Sequence, residues 1–343
     1  MRRLLNTLFV LSEDSYLALD GENVIILAEN LTKGRFPLHT LESILYFGYK
    51  GASPSLMGAC AQKQIGLTFL TPRGRFLARS CGETHGNVLL RKQQYRISDQ
   101  EDLSCLVARN FIIGKVYNSR GILERATRDH PLSINVDSFK QATSSMKILI
   151  GQISDCTDLD VLRGYEGDAA KLYYSVFDDL ILQNKDRFYF SERTRRPPMD
   201  NLNAMLSFGY TLLTHDCGSA LESVGLDSYV GFLHRDRPGR KSLALDLVEE
   251  LRGVCADRLC ITLINNREIN HKHFQERENG SIYLTEEGRK IVIAAWQNKK
   301  RDEIRHPFLK EKIPWGLVPY VQALLLARYI RGDIDGYPPF LWM

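Results

Sequence analysis

No stretch of this 343-residue chain approaches the roughly 18 consecutive apolar residues that a membrane-crossing helix needs. The apolar run from Leu4 to Leu11 follows Met1, Arg2 and Arg3 but is broken by Asn6 and Thr7. That is too polar for the core of a secretory signal. The cysteines are scarce and scattered: Cys60, Cys81, Cys105, Cys156, Cys217, Cys255 and Cys260, seven in all, with no C-x-x-C pair. An odd, dispersed set argues against a disulfide framework and against a thiolate zinc site, and reads as reduced intracellular thiols. Internal repeats, low-complexity tracts and long disordered linkers are missing as well. There is no large excess of charge of one sign, since 45 Lys and Arg face 41 Asp and Glu for a formal charge of +4. A mildly basic balance permits a polyanionic partner without arguing for one. The expectation is a cytoplasmic, soluble protein.

What is present is ordinary in amount, with 44% hydrophobic and 25% charged residues, and informative in arrangement. The length is large for one core, so two domains are expected. Up to residue 88 the chain alternates short β-rich runs with turn chemistry. Tyr16–Leu19 and Val24–Leu27 flank Asp20-Gly21-Glu22-Asn23, and Gly66–Leu70 and Arg75–Ala78 flank Thr71-Pro72-Arg73-Gly74, which predicts two hairpins. Between them Ser53 and Pro54 form an N-cap and first-turn proline for a short helix. After a linker at 89–97, the segment 98–343 turns helical. Ser98 with Glu101 reads as a capping box, and further helices are expected near 137–153, 158–182, 200–214, 242–254, 285–300 and 315–331. The fold class is therefore α+β: a small, mostly antiparallel β domain over 1–88, then a larger all-α domain over 98–343.

One residue breaks the helical pattern in a useful way. Leu159, Leu162, Ala169, Ala170, Tyr173 and Phe177 fall on one apolar arc, and Glu166 lies near its centre. A carboxylate withdrawn from water needs a partner, so an arginine, a histidine or a metal ion must meet it. A structural ion pair is the plainer of these readings. Two other segments carry candidate chemistry. Gly231-Phe232-Leu233-His234 runs into a basic turn holding Arg235, Arg237, Arg240 and Lys241, and the helix opening at Ser242 carries Asp246, Glu249 and Glu250 on one polar arc. Alone, such an acidic arc is usually a solvated face, and a lone histidine is usually structural. Together they place a Glu, a His and a further acid on separate elements, a donor set that suits Mg2+ or Mn2+ better than zinc. Arginines beside it would suit a phosphate.

The strings RGYEGDAAKLYY, DNLNAMLSFGYTLL, GFLHRDRPGRKSLALDLVEELR, LINNREI and YLTEEGRK resemble the CRISPR-associated spacer integrase, the endonuclease called Cas protein one. The likeness spans the whole chain, and the ending LARYIRGDIDGYPPFLWM looks closest to type I members, subtype C. The resemblance implies that Glu166, His234 and Glu249 ligate a divalent Mg2+ or Mn2+, with Asp246 close by, either behind the ligands or toward the DNA. Glu249 stands where some members carry aspartate. Asn203 and Tyr210, which share a helix edge with Ser207, match polar residues bordering the site, although packing and capping explain them as well. The implied reaction is attack of a 3′-hydroxyl on a phosphodiester, which joins prespacer DNA to a CRISPR repeat and appears as nuclease activity when run with water. The implied assembly is a homodimer built through the β domains, with two such dimers bridged by the small Cas protein two. A non-catalytic DNA-binding scaffold and a metal-dependent hydrolase of small phosphoesters remain as rivals. The pair His271 and His273 has no third ligand nearby and reads as exposed surface, and the aromatic run Phe188, Tyr189 and Phe190 fits a core as well as it fits stacking on unpaired bases. The basic runs at Arg193–Arg196 and Lys299–Arg301 read as solvated, with one of them a candidate to track a DNA backbone.

Overall fold

The computed structural model describes residues 6–29, 31–72, 76–82 and 88–342, and the chain divides into two compact units, 1–86 and 87–343. The start of the N-terminal apolar run and residues 73–75 of the second expected turn lie outside the described residues.

The first unit runs β1 (Asn6–Val10), β2 (Tyr16–Asp20), β3 (Asn23–Ala28), β4 (Leu31–Pro37), β5 (Leu41–Phe47), α1 (Pro54–Gln62), β6 (Gly66–Leu70) and β7 (Phe76–Ser80). The β2–β3 hairpin turns at Gly21, whose φ of 57° matches the first central position of a type II′ turn. Helix α1 starts as expected: the Ser53 side chain accepts from Leu56 N at 3.2 Å, and Pro54 opens the first turn. Strands β2, β3 and β4 form an antiparallel sheet, while the other sheet has the order β1-β5-β6-β7. In that sheet β5 runs parallel to both β1 and β6, and only β6–β7 is antiparallel. Strand direction across a crossover depends on topology, which residue alternation does not encode. Leu17, Val24, Ile44, Leu56 and Leu67 close the core of this unit. The buried Tyr46 hydroxyl is satisfied by donating to Ser15 O at 2.6 Å.

The second unit begins with α2 (Val88–Ser98) and α3 (Glu101–Asp129), so the segment 89–97 assigned to a linker is itself helical. The capping box is absent: Ser98 ends α2 and donates to Tyr95 O at 2.9 Å, and Gln100 occupies the N-cap of α3 without a side-chain bond. There follow α4 (Val136–Ser154), α5 (Leu159–Ser175), α6 (Asn201–Ser223), α7 (Ser242–Arg252), α8 (Arg258–Asn265), α9 (Glu286–Arg301) and α10 (Val318–Arg331). Two short ribbons, β8 (Phe274–Glu276) with β9 (Ile282–Leu284) and β10 (Glu303–Arg305) with β11 (Lys312–Pro314), interrupt this otherwise helical unit. Helix α3 is 29 residues long and packs on α4, α5 and α7. That arrangement puts its buried face against the two helices carrying Glu166 and Glu249. Among the described residues no helix is long and apolar enough to cross a membrane, and all seven cysteines are free thiols.

Candidate metal centre

Helix α5 is started by Asp158, whose carboxylate accepts from Asp160 N at 2.8 Å and Val161 N at 2.9 Å. Its inward stripe of Leu159, Leu162, Ala169 and Tyr173 is buried. Glu166, on the same stripe, keeps 30% of its side chain exposed, so it sits at the mouth of the interior. The cation that meets it is a lysine, which was not among the three partners expected. Lys115 of α3 bonds Glu166 Oε1 and also reaches Glu249 Oε2 at 2.6 Å, with only 8% of its own side chain exposed. Two carboxylates from two helices thus converge on a single ammonium.

Glu249 has a second cationic partner. Arg252, one turn further along α7, donates from Nη1 to both Glu249 oxygens at 3.2 and 3.1 Å. Burial alone would raise the Glu249 carboxyl, but Lys115 and Arg252 overcome it and hold the group far below the usual carboxylate range. The Nη2 of Arg252 donates to the hydroxyls of Tyr174 at 2.8 Å and Tyr210 at 3.0 Å. The Tyr210 hydroxyl in turn donates to Asp257. A π-helical turn at Gly253–Asp257 links α7 to α8. Its wider hydrogen-bonded loop brings residues five apart toward one side, so that Arg252 and Asp257 face the same tyrosines.

His234 arrives on a turn that needs a glycine. A Cβ on Gly231 would lie 2.8 Å from Ser242 Cβ and 2.9 Å from His234 O, so no side chain fits there. The turn is fastened by Asp246, which is fully buried. One Asp246 oxygen accepts from Phe232 N at 2.6 Å and Leu233 N at 3.1 Å; the other accepts from His234 N at 3.0 Å and lies 2.6 Å from His234 Nδ1. A carboxylate can only accept, so Nδ1 carries the proton and Nε2 is the nitrogen left for a ligand. Arg163 of α5 closes the turn from the other side, donating to Leu233 O at 3.2 and 2.9 Å.

The acidic arc on α7 is therefore not a solvated face. Asp246 holds the histidine turn, Glu249 faces the lysine and the arginine, and Glu250 is buried in the core. Glu250 accepts from Gln322 Nε2 at 2.6 Å, from the Tyr337 hydroxyl at 2.6 Å and from Phe340 N. Desolvation outweighs these bonds and pushes its carboxyl up to about 7.

Among the described residues no three His, Cys, Asp or Glu side chains are gathered into a metal cage, and the Lys115 ammonium bonds two of the three expected ligands, Glu166 and Glu249. The donor chemistry nevertheless fits a hard divalent ion: two carboxylates already converge on one positive charge, and an imidazole presents Nε2 with its other nitrogen held by a carboxylate.

The residues bordering this centre separate by depth. Tyr210 reaches Glu249 through Arg252. Asn203 is fully buried, and its amide is spent on Glu192 O at 2.8 Å, Asp200 Oδ2 at 2.6 Å and Arg193 Nη1 at 2.6 Å. It fastens the loop ahead of α6, and its link to Tyr210 runs through Arg193, whose guanidinium lies 5.3 Å from that ring. Arg193 also donates to Ser207 Oγ at 3.1 Å, so it faces inward. In the basic turn Arg235 is exposed and bonds Asp160 at 3.3 Å, Arg237 is exposed, and Lys241 lies 5.9 Å from the Tyr229 ring. Burial first, then the Arg237 and Arg196 charges, lower the Arg240 guanidinium's hold on its proton. The charge of exposed Arg196 is thus felt at Arg240 in the turn after His234. Phe188 and Phe190 are buried, against Phe274 and Tyr174 respectively, and only Tyr189 is exposed. His273 is buried and accepts from Asn270 N at 3.1 Å as a cap, which leaves no H-x-H ligand pair.

Lys115 and Arg252 escaped the sequence reading. The signal for Lys115 was there in the same form as for Glu166, since it follows Phe111 by four residues and precedes Ser119 by four on a buried helix face.

Two helices packed on α3 carry acids that share one lysine, and the histidine fixed by buried Asp246 adds its charge at Glu249. Residues 8–298 match the family described as CRISPR associated protein Cas1, and the chain belongs to that family. It is 49% identical over 342 residues to CRISPR-associated endonuclease Cas1 1 of Chlorobaculum tepidum, and 50% identical over 347 residues to CRISPR-associated endonuclease Cas1 2 of Rhodospirillum rubrum. Each alignment covers 100% of both chains. The fold is shared with a Cas1 protein from Thermotoga maritima (TM-score 0.79, 23% identity, 95% of this chain and 97% of that one). It is shared equally with a casposase bound to its integration product (TM-score 0.82, 22% identity, 99% and 93%).

Proposed function

We propose that this chain is a divalent-metal-dependent DNA endonuclease and strand-transfer integrase that inserts new spacers into a CRISPR array. The observation that carries the reading is the convergence of Glu166 and Glu249 on one positive charge, together with a histidine whose Nδ1 is taken by buried Asp246 and whose charge is felt at Glu249. Relatives about half identical along the whole chain are CRISPR-associated endonucleases, which supports the same class of reaction here. Glu166, His234 Nε2 and Glu249 would hold Mg2+ or Mn2+. When bound, such an ion supplies charge stabilisation at a phosphoryl oxygen and lowers the pKa of an attacking hydroxyl. Asp246 keeps the imidazole in the ligating tautomer, Arg252 fixes the Glu249 rotamer, and Arg196, Arg237 and Arg240 offer donors to DNA phosphates. Prespacer DNA and the CRISPR repeat are the proposed substrates. The proposed assembly is a homodimer formed through the β units, two copies of which are bridged by Cas protein two; a solved chain that shares this fold over 36% of its own length belongs to a Cas6-RT-Cas1–Cas2 complex.

A scaffold that only binds DNA would have no use for two half-buried acids that share one lysine near a tautomer-fixed histidine, and a hydrolase of small phosphoesters would not need the exposed arginines of the turn after His234. Glu166→Ala, His234→Ala and Glu249→Ala should each lower Mg2+- or Mn2+-dependent cleavage and strand transfer on branched DNA by more than the ~100-fold seen when a residue behind a ligand is changed. Near-normal activity in all three, with circular dichroism showing intact helices, would refute the assignment.

A further inference from the structure

The position of Lys115 is not explained by packing. It lies in a face of α3 whose neighbours Phe111, Ile112, Val116 and Ser119 are buried, and it brings a positive charge into that face. A buried ammonium is costly unless paired, and its partners are the two carboxylates proposed as metal ligands. We infer that Lys115 is a built-in counter-ion for the Glu166–Glu249 pair, which a divalent ion has to displace in order to bind.

This rests on the proposed metal centre and adds to it a competitor for the site. The ammonium lies 2.6 Å from Glu249 Oε2 and in contact with Glu166 Oε1. A Mg2+ or Mn2+ ion held by Glu166 and Glu249 would need the carboxylate oxygens that the ammonium now bonds, so the two cations would compete for the same acids. Their charges would also repel at close range. Binding therefore exchanges one cation for another, and apparent metal affinity is lower than the carboxylates alone would give. In return, the opposed acids stay neutralised and in register whenever no divalent ion is bound. The device is local, because Glu249 keeps its contacts to Arg252 at 3.2 and 3.1 Å when the lysine leaves, and Glu166 opens to solvent.

The same contacts make the idea testable by substitution. Lys115→Met retains most of the length and removes the charge; Glu249 would still be paired by Arg252 and Glu166 hydrated, so the fold should survive. Mn2+ titration calorimetry on the full chain should show Lys115→Met binding about ten-fold or more tightly than wild type, the scale on which groups beside metal ligands act. Without Mn2+ the variant should melt below wild type, and saturating Mn2+ should raise its melting temperature by more than it raises that of wild type. Lys115→Gln serves as a second variant, and Glu166→Gln is the control for the centre itself. If Glu166→Gln loses Mn2+ binding while both lysine variants bind equally or more weakly than wild type, the counter-ion inference is wrong and the metal centre stands. If wild type and Glu166→Gln bind Mn2+ alike or not at all, the metal centre is wrong and this inference goes with it. Should both lysine variants fail to fold, 15N-lysine spectra of wild type decide: the Lys115 Nζ signal must move as Mg2+ saturates the site, and an unmoved signal overturns the inference.

Discussion

Asp246→Asn replaces one oxygen by NH2 at the most heavily bonded side chain of the centre, and the geometry fixes what each orientation of the new amide would do. The carboxylate accepts four donors, two on each oxygen: Phe232 N and Leu233 N on one, His234 N and Nδ1 on the other. With the amide NH2 toward Phe232 and Leu233, two buried backbone donors lose their acceptor, at about 1–3 kcal/mol each. With NH2 toward His234, the backbone N–H of His234 is orphaned, and Nδ1 can become an acceptor only if the proton moves to Nε2. That tautomer cannot ligate a metal. Two orphaned donors cost about 2–6 kcal/mol and one about 1–3 kcal/mol, so the fold should lose at least about 1–3 kcal/mol, which for a unit of this size lowers the melting temperature by roughly 2–12 °C. Mn2+ affinity should fall about 10–100-fold, because a metal can bind only after the amide turns to the orientation that leaves Nε2 unprotonated. Glu249→Gln, which deletes a charged donor, should cost more affinity than this. Thermal melts and Mn2+ calorimetry on both variants check the two parts separately. An unchanged melting temperature for Asp246→Asn would contradict the four-donor geometry, and an affinity loss equal to or above that of Glu249→Gln would mean that the roles of the two acids are exchanged.

Replacing Arg237 and Arg240 together by alanine should weaken binding to duplex DNA of any sequence and flatten the plot of log affinity against log salt by roughly 0.9 per lost phosphate contact; wild-type affinity and slope would move the DNA path off this turn. Glu250 gives a pH signature: its carboxyl rises from 4.5 to about 7 in the fold, so the folded state holds the proton more tightly than the unfolded chain. Its contribution is most favourable below about pH 4.5, declines as pH rises toward about 7, and is constant above, a change of about 3 kcal/mol. Urea unfolding from pH 4.5 to 8 should therefore show Glu250→Gln gaining on wild type by about that amount, whereas parallel profiles would show that Glu250 is ionised in the fold throughout.

Local chemistry was readable wherever it acts over a few residues. The Gly21 hairpin, the Ser53–Pro54 helix start and the helices α4, α6, α7 and α9 were visible in the order of apolar residues and caps. The capping box at Ser98 failed because its pattern also fits the end of one helix followed closely by another. The parallel pairing of β5 with β1 and β6 was hidden because alternation does not report strand direction. At the centre, the misplaced charge of Glu166 was legible, since a carboxylate among apolar neighbours at helical spacing demands a partner whatever the fold. What that partner is was not legible, because Lys115 lies 51 residues away along the chain and any cation meets the demand. The arc of Asp246, Glu249 and Glu250 illustrates the same limit. On a helix surface the three look alike, and only the packing of α7 against the histidine turn, α3 and the C-terminal segment sends one to fasten His234, one to face Lys115 and Arg252, and one into the core. By itself the sequence determined which residues need a partner, through periodicity and the energetic demand of burying charge. The tertiary structure alone decided which groups meet, because contact between residues distant in sequence is set by how whole helices pack.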